Sequence, residues 1–288
     1  MLMKHKIQFG LLCAMSFLFV SLAGAFSISP LKYMVSLDPG DSHDVVVVVK
    51  NDSSTDKEYQ AVVMGVQQDA HGRPIFKTNS DIAEDWIKFK DEKILLKRNE
   101  NKDLVFIINV PKNIPPGAHY IGLGVQEKND QSVSGQLMTI VTLQVAGTAT
   151  ESLVLENFYP VKKYFFNKNL SYFLQVKNVG NIDLSMKAKI QTYDFKNKNL
   201  GFSTVSLGNK LFSQSNRSAE INPPVNSEIF WPGLYRSTVT INYGATDQQI
   251  VSGASFWYWP AWFLCLVVGT IILILLFVVY FKKKHARI

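Results

Sequence analysis

The sequence predicts an all-β protein, two β-sandwiches in tandem followed by one C-terminal membrane-spanning α-helix. Three observations predict it. Between residues 26 and 256, short runs rich in Val, Ile, Leu, Tyr and Phe alternate with turn residues, and no long 3.6-residue apolar period appears. The order of motifs in the first half of that region returns in the second. Ala261–Phe281 holds neither a charge nor a proline, and as a helix it would measure roughly 30 Å, the thickness of a bilayer's hydrocarbon core.

Met1–Ala25 opens with Lys4 and Lys6, continues as an apolar run from Phe9 to Leu22, and ends in Ala23-Gly24-Ala25. A basic start, a short apolar run and small residues two apart are the marks of a cleavable secretory signal, with Ala23 and Ala25 flanking the cut.

The first sandwich is expected over residues 26–147. Val45–Val49 is five consecutive valines ending in the polar cluster Lys50-Asn51-Asp52-Ser53-Ser54. Tyr59–Val66, Leu104–Val110, Ile121–Val125 and Leu137–Val145 continue the series at spacings that suit a sandwich. Asp69–Lys97 is less regular: His71-Gly72-Arg73-Pro74 marks a turn and Asp81–Trp86 one helical turn.

Ala146-Gly147-Thr148-Ala149-Thr150 supplies a boundary of small residues, and the second sandwich is expected over 148–256. There, Tyr172–Val176 runs into Lys177-Asn178 as the valine strand runs into Lys50-Asn51. Gly117 of Pro116-Gly117 follows Asn51 by 66 residues, and Gly233 of Pro232-Gly233 follows Asn178 by 55. Each Pro-Gly suits a type II turn with glycine at positive φ, launching an alternating strand. With the glycines aligned, Tyr120 falls opposite Arg236 and His119 opposite Tyr235, so a tyrosine corner in both halves is not expected.

Residues 257–281 form the expected span. Trp257, Trp259 and Trp262 stand at its entrance, where amphipathic rings favour the headgroup layer, and Lys282, Lys283, Lys284 and Arg287 follow it as a stop-transfer cluster. The last basic residue before the span is Arg236, so the positive-inside bias places the tail at 282–288 in the cytoplasm and the sandwiches outside the cell, a single-pass type I arrangement.

This topology changes the meaning of the composition. The net charge of +7 includes six basic residues in the leader and tail; removing them from the 30 leaves 24 against 23 acids, all of which lie in 26–256. That near-neutral region lacks the basic stripe of a nucleic-acid binder. Of the two cysteines, Cys13 sits in the leader and Cys265 in the span, leaving the sandwiches without a disulfide, a thiol nucleophile or a cysteine metal site.

Several stretches together carry a resemblance: Ile28-Ser29-Pro30, Leu37-Asp38-Pro39-Gly40-Asp41-Ser42, the valine strand ending in Lys50-Asn51, Trp86-Ile87, Val110-Pro111 and Pro116-Gly117-Ala118-His119-Tyr120. The first half resembles the peptidoglycan-binding domain of WxL-interacting proteins. The second resembles a related surface module through Phe158–Phe166, Val176–Asn181 and Ser255-Phe256-Trp257. The resemblance implies two immunoglobulin-like domains on a bacterial surface, one membrane anchor, and cell-wall polymer or another surface protein as partner.

No catalytic constellation is legible and no cofactor is expected. His43, His71 and His119 are scattered singly, without H-E-x-x-H spacing, and no G-x-S-x-G elbow occurs. Asp81, Glu84 and Asp85 are the tightest acid cluster and read as a polar turn before Trp86; Asp38, Asp41 and Asp44 surround Pro39-Gly40 without the carboxylate spacing of a calcium loop. Candidate binding residues are Lys162, Lys163 and Tyr164, then Tyr193 and Lys196, where cations alternate with rings able to stack on sugars. Taken together, the sequence reads as a non-catalytic, membrane-anchored surface protein. The alternative is an anchored assembly factor that takes a partner's strand onto an open sheet edge, the mode of pilus chaperones.

Overall fold

A computed structural model of the chain describes residues 26–129, 132–224 and 228–285; the predicted leader, with Ala23 and Ala25, and Arg287 lie outside them. The protein is all-β with one C-terminal helix, as expected. Packing divides it into two compact units, one comprising the residues through Gly65, Lys77–Ile114 and His119–Leu143, the other Val66–Phe76, Pro115–Ala118 and the residues from Gln144 on.

In chain order the first ten strands are β1 (Phe26–Ser29), β2 (Lys32–Leu37), β3 (Ser42–Asn51), β4 (Lys57–Gln68), β5 (Pro74–Lys77), β6 (Ile87–Phe89), β7 (Lys93–Leu96), β8 (Asn101–Asn109), β9 (Gly117–Asn129) and β10 (Ser132–Val145). They form two sheets, ordered β1-β3-β8-β6 and β2-β10-β9-β4-β5, with β7 beside β4. Alternation explains the valine run: Val45, Val47 and Val49 are fully buried while Val46 points outward. Val45 and Val47 stand opposite Phe106 and Leu104 on β8, and Ile121, Leu123, Val141 and Leu143 line the facing sheet.

The predicted helical turn is a single 3-10 turn, Ile82–Trp86, capped by Asp81 and Glu84 in a reciprocal box. Gly65 on β4 makes room for it, since a Cβ there would lie 2.6 Å from a Glu84 carboxylate oxygen. Pro116-Gly117 and Pro232-Gly233 each launch a strand, as expected, but Gly117 has no positive φ and Gly233, at φ 155°, is close to extended, so neither glycine takes the left-handed position of a type II turn.

The second unit carries β11 (Leu153–Pro160), β12 (Tyr164–Phe165), β13 (Tyr172–Asn178), β14 (Met186–Tyr193), β15 (Asn199–Ser206), β16 (Asn216–Ile221), β17 (Gly233–Tyr243), β18 (Gln248–Tyr258) and the helix α1 (Ala261–His285). Its sheets are β11-β13-β16 and β12-β18-β17-β14-β15. Tyr172, Leu174, Val176, Ala188, Ile190, Val239, Ile241 and Phe256 form the core between them. The buried Tyr172 hydroxyl bonds Ser237 Oγ across that core at 2.7 Å, and Thr192 reaches the same oxygen at 3.1 Å.

Burial pushes the Tyr172 phenol up to about 12, against the opposing pull of its bonds to Ser237 and Thr192. A folded value above the ordinary 10.0 means that this contribution is complete below pH 10.0 and is lost as pH rises through about 12. The thermal midpoint should therefore fall over that window, and Tyr172→Phe should flatten part of the fall. An equally steep fall in the variant would assign the effect elsewhere.

The internal repeat has a physical core. Asn51 and Asn178, each the last residue of its strand, are fully buried. Asn51 Nδ2 donates to the carbonyls of Thr55, Leu96 and Lys97 at 2.8, 3.1 and 3.2 Å, and its Oδ1 accepts the amide of Ser53. Asn178 Nδ2 donates to Ile182, Leu211 and Phe212 at 2.8, 3.2 and 3.1 Å, and its Oδ1 accepts the amide of Gly180. In both, partners two and four residues ahead are joined to two adjacent carbonyls of a distant turn. The repeated Lys-Asn is thus a repeated clip that ties one strand end to the loop it must meet.

Candidate functional site

The acid cluster is committed to structure. The Glu84 carboxylate accepts the amides of Asn79, Ser80 and Asp81. Asp81 accepts from the amides of Ala83 and Tyr120 and lies 2.8 Å from Nδ1 of His119, whose ring meets Trp86 edge-on at 4.8 Å. Burial works upward on the Asp81 carboxyl, but the His119 bond and the two amides outweigh it and hold the group below the usual carboxylate range. His119 is a core-edge histidine locking the 3-10 turn to β9. Among the described residues, no group of three His, Cys, Asp or Glu is placed to hold a metal ion.

A different feature appears along β10. Phe26 lies against Gly135, the Pro30 carbonyl accepts Thr139 Oγ1 at 2.6 Å, and the Leu31 carbonyl accepts the Ile140 amide at 3.0 Å. Chain and strand therefore run in the same direction, and β2 lies along β10 from Ile140 onward. Before that point the chain belongs to the other sheet, where Phe26–Ser29 pairs with Asn51–Val48, and it crosses over at a cis Ser29–Pro30 bond. β2 has 6 residues and β10 has 14, so the outer edge of β10 before Ile140 extends beyond β2.

The polar groups of that edge follow from alternation. The Ile140 amide points outward to Leu31, while the Leu137 carbonyl lies against Gly124 on the β9 side. Gln136 and Met138 therefore direct their N–H and C=O groups outward. Gly135-Gln136-Leu137-Met138 holds neither a charge nor a proline, two of the devices by which exposed edges resist pairing. Sequence reasoning placed a strand here but had no sign of its edge, because that depends on where a remote strand begins.

The second unit holds a cavity of about 700 Å³ lined by Asp194, Phe195, Lys196, Lys198, Leu200, Glu228, Phe230, Trp231 and Tyr235. Phe195 is seated on the backbone of Gly233, 3.2 Å from where a Cβ would stand. Asp194 Oδ1 accepts the amides of Lys196 and Lys198, fixing the turn that carries both lysines. The Tyr235 hydroxyl donates to the Trp231 carbonyl at 2.8 Å, a tyrosine corner in this half.

Of the predicted binding residues, Lys196 lines this cavity, and Tyr193 sits half-buried at the end of β14 opposite Arg236. Lys162 and Lys163 are exposed beside Tyr164, which pairs with Trp257 on β18. They are thus placed beside the strand that leads into the helix. Trp257 and Tyr258 are strand residues, not the start of the helix; α1 begins at Ala261, with Trp259 and Pro260 as its entire connection. Trp257 stacks near Trp259 at 6.1 Å, and Trp262 stacks on Phe230 at 5.5 Å. α1 is long and apolar enough to cross a membrane, with Ala261–Lys282 exposed along its length. It continues through Lys282, Lys283 and Lys284.

No family model and no curated protein matches the chain. Among solved structures, a chain of a chaperone–tip adhesin complex of CFA/I fimbriae is 13% identical, with 80% of this chain and 98% of that one covered and a TM-score of 0.45. The class 5 fimbriae chaperone CfaA is 12% identical over 80% and 99%, with a TM-score of 0.43. A chain of the CsuC–CsuE chaperone–tip adhesion subunit complex of Acinetobacter baumannii is 15% identical over 80% and 98%, with a TM-score of 0.41. Likenesses of this degree say nothing of what the present chain binds.

Proposed function

We propose that this chain is a membrane-anchored holding factor that takes an extended segment of another exported protein onto the outer edge of β10. The observation that carries the reading is the late start of β2, which leaves the outward N–H and C=O groups of Gln136 and Met138 outside the stretch that it covers. An added strand would satisfy these groups with main-chain bonds, while its side chains would pack beside the half-buried Met138 and exposed Leu137. α1 holds the sandwiches at the outer face of a membrane, with the lysine-rich end inside. This reading replaces wall polymer with a protein segment as ligand, because an unprotected strand edge recognises backbone and not sugar.

A photoreactive residue at position 136 tests it in cells of the source type. It should capture an exported protein, and Met138→Pro, which deletes one outward N–H without touching the β9 side, should reduce capture by about tenfold. Capture that persists undiminished in the proline variant, or capture of glycan instead of protein, would reject strand addition.

A further inference from the structure

We propose that the end of the second sandwich from which α1 emerges is a membrane-docking surface, its aromatic and lysine-bearing loops resting in the headgroup layer of an anionic bilayer. Strand pairing brings those loops to one end. Tyr258, the last residue of β18, stands opposite Gly233, the first of β17; Tyr193 at the end of β14 stands opposite Arg236, and Phe165 of β12 beside Tyr258. In the other sheet, Pro160 and Ile221, the last residues of β11 and β16, both stand opposite Tyr172, the first of β13. Residues 161–163 alone join β11 to β12, so the two sheets share that end. Segments 161–171, 194–198 and 228–232 therefore leave the sandwich on the side of α1, which only Trp259 and Pro260 separate from β18.

What these segments carry is the second argument. Phe166, Phe195 and Trp231 are 58%, 52% and 60% accessible, and Tyr164 and Phe230 are exposed as well. Among the described residues, the turns at the opposite end, 179–185, 207–215 and 244–247, expose one large apolar side chain, Val179. The same three segments hold five lysines, Lys162, Lys163, Lys168, Lys196 and Lys198, against two acids, Asp194 and Glu228. Rings favour the boundary between water and hydrocarbon, and the excess of positive charge suits anionic headgroups. Continuity with α1 decides the occupant. Phe230 and Trp231 meet Trp262 in the first turn of α1 at 5.5 and 6.0 Å between ring centroids. With α1 across a bilayer, Trp262 lies at headgroup level, and the rings packed on it lie at the same depth. A soluble partner would have to enter between sandwich and bilayer to reach them.

The inference rests on α1 as a span and is independent of β10, so its failure leaves strand addition standing. The full chain is reconstituted in nanodiscs of phosphatidylglycerol with photoreactive benzoylphenylalanine at Phe166, Phe195, Trp262 or Ala245, the last in the turn between β17 and β18. Those strands have 11 residues each, which places Ala245 on the order of 35 Å from the helix entrance. Intact mass should show lipid adducts at the first three positions and none at Ala245. In phosphatidylcholine discs, and in Lys162→Glu/Lys163→Glu, the yield at Phe166 should fall about threefold while that at Trp262 is unchanged. Adducts present at Trp262 but missing at Phe166 or at Phe195 would overturn docking and leave the span standing; no adduct at any position would overturn both. Labelling at Ala245 as strong as at Phe166, or a Phe166 yield indifferent to lipid charge and to the lysine substitutions, would overturn the proposal as well.

Discussion

Asn178→Ala lowers the stability of the second sandwich by about 3–5 kcal/mol, a large part of what a domain of this size has. The fully buried amide bonds three carbonyls and one amide N–H. Truncation removes all four bonds, leaves the Leu211 and Phe212 carbonyls and the Gly180 amide with one backbone partner each, and opens a void where the side chain stood. In detergent-solubilised full-length protein, the thermal transition of the second sandwich should drop by roughly 15 °C. Amide exchange at Gly180 and the neighbouring strand end should rise with it. Asn157→Ala provides the contrast, because its bond to Gln175 is exposed, and it should change stability by no more than about 0.5 kcal/mol. Asn51→Ala should reproduce the effect in the first sandwich. A loss below about 1 kcal/mol in both would mean that the loops close without the clip.

Leu273→Arg combined with Ile274→Arg releases the chain from membranes. Both residues lie near the middle of α1, and both are exposed, at 67% and 62%. At the centre of a spanning helix each arginine costs about 3 kcal/mol, so the pair removes about 6 kcal/mol of insertion free energy. Alkaline carbonate should extract the double variant into the soluble fraction while the unmodified chain stays with the pellet. Lys282→Ala should stay as well, because one lysine of the cluster sets orientation more than affinity. Retention of the double-arginine chain would mean that α1 is not what attaches the protein to the membrane.

The signals that were legible in the sequence are those that depend on neighbours along the chain. Val45–Val49 showed a buried strand because side chains alternate with period 2, and the absence of charge from Ala261 to Phe281 showed a helix suited to lipid. The Asp81–Trp86 turn was readable as a short polar stretch before Trp86, although the capping box that closes it was not read. Even the repeat was visible as Lys50-Asn51 and Lys177-Asn178, although not the bonds that give the asparagines their purpose.

Other features had no local signature. His119 looked isolated until Asp81, 38 residues away, was brought within 2.8 Å of its ring. Phe230 and Trp231 were silent because their partner, Trp262, belongs to another element. Lys196 and Lys162 looked alike in composition, yet Lys196 lines a cavity and Lys162 precedes β12, which pairs with β18.

By itself, then, the sequence determined the class of each segment: β-rich throughout the middle, apolar and helical at the end, and duplicated in plan. Tertiary structure alone decided which edge of β10 is left uncovered and which rings gather around Trp262. The physical reason is that side-chain periodicity is written in adjacent residues. The end of one strand relative to another, and the meeting of rings from separate loops, are set only when sheets close and the chain ends up beside itself.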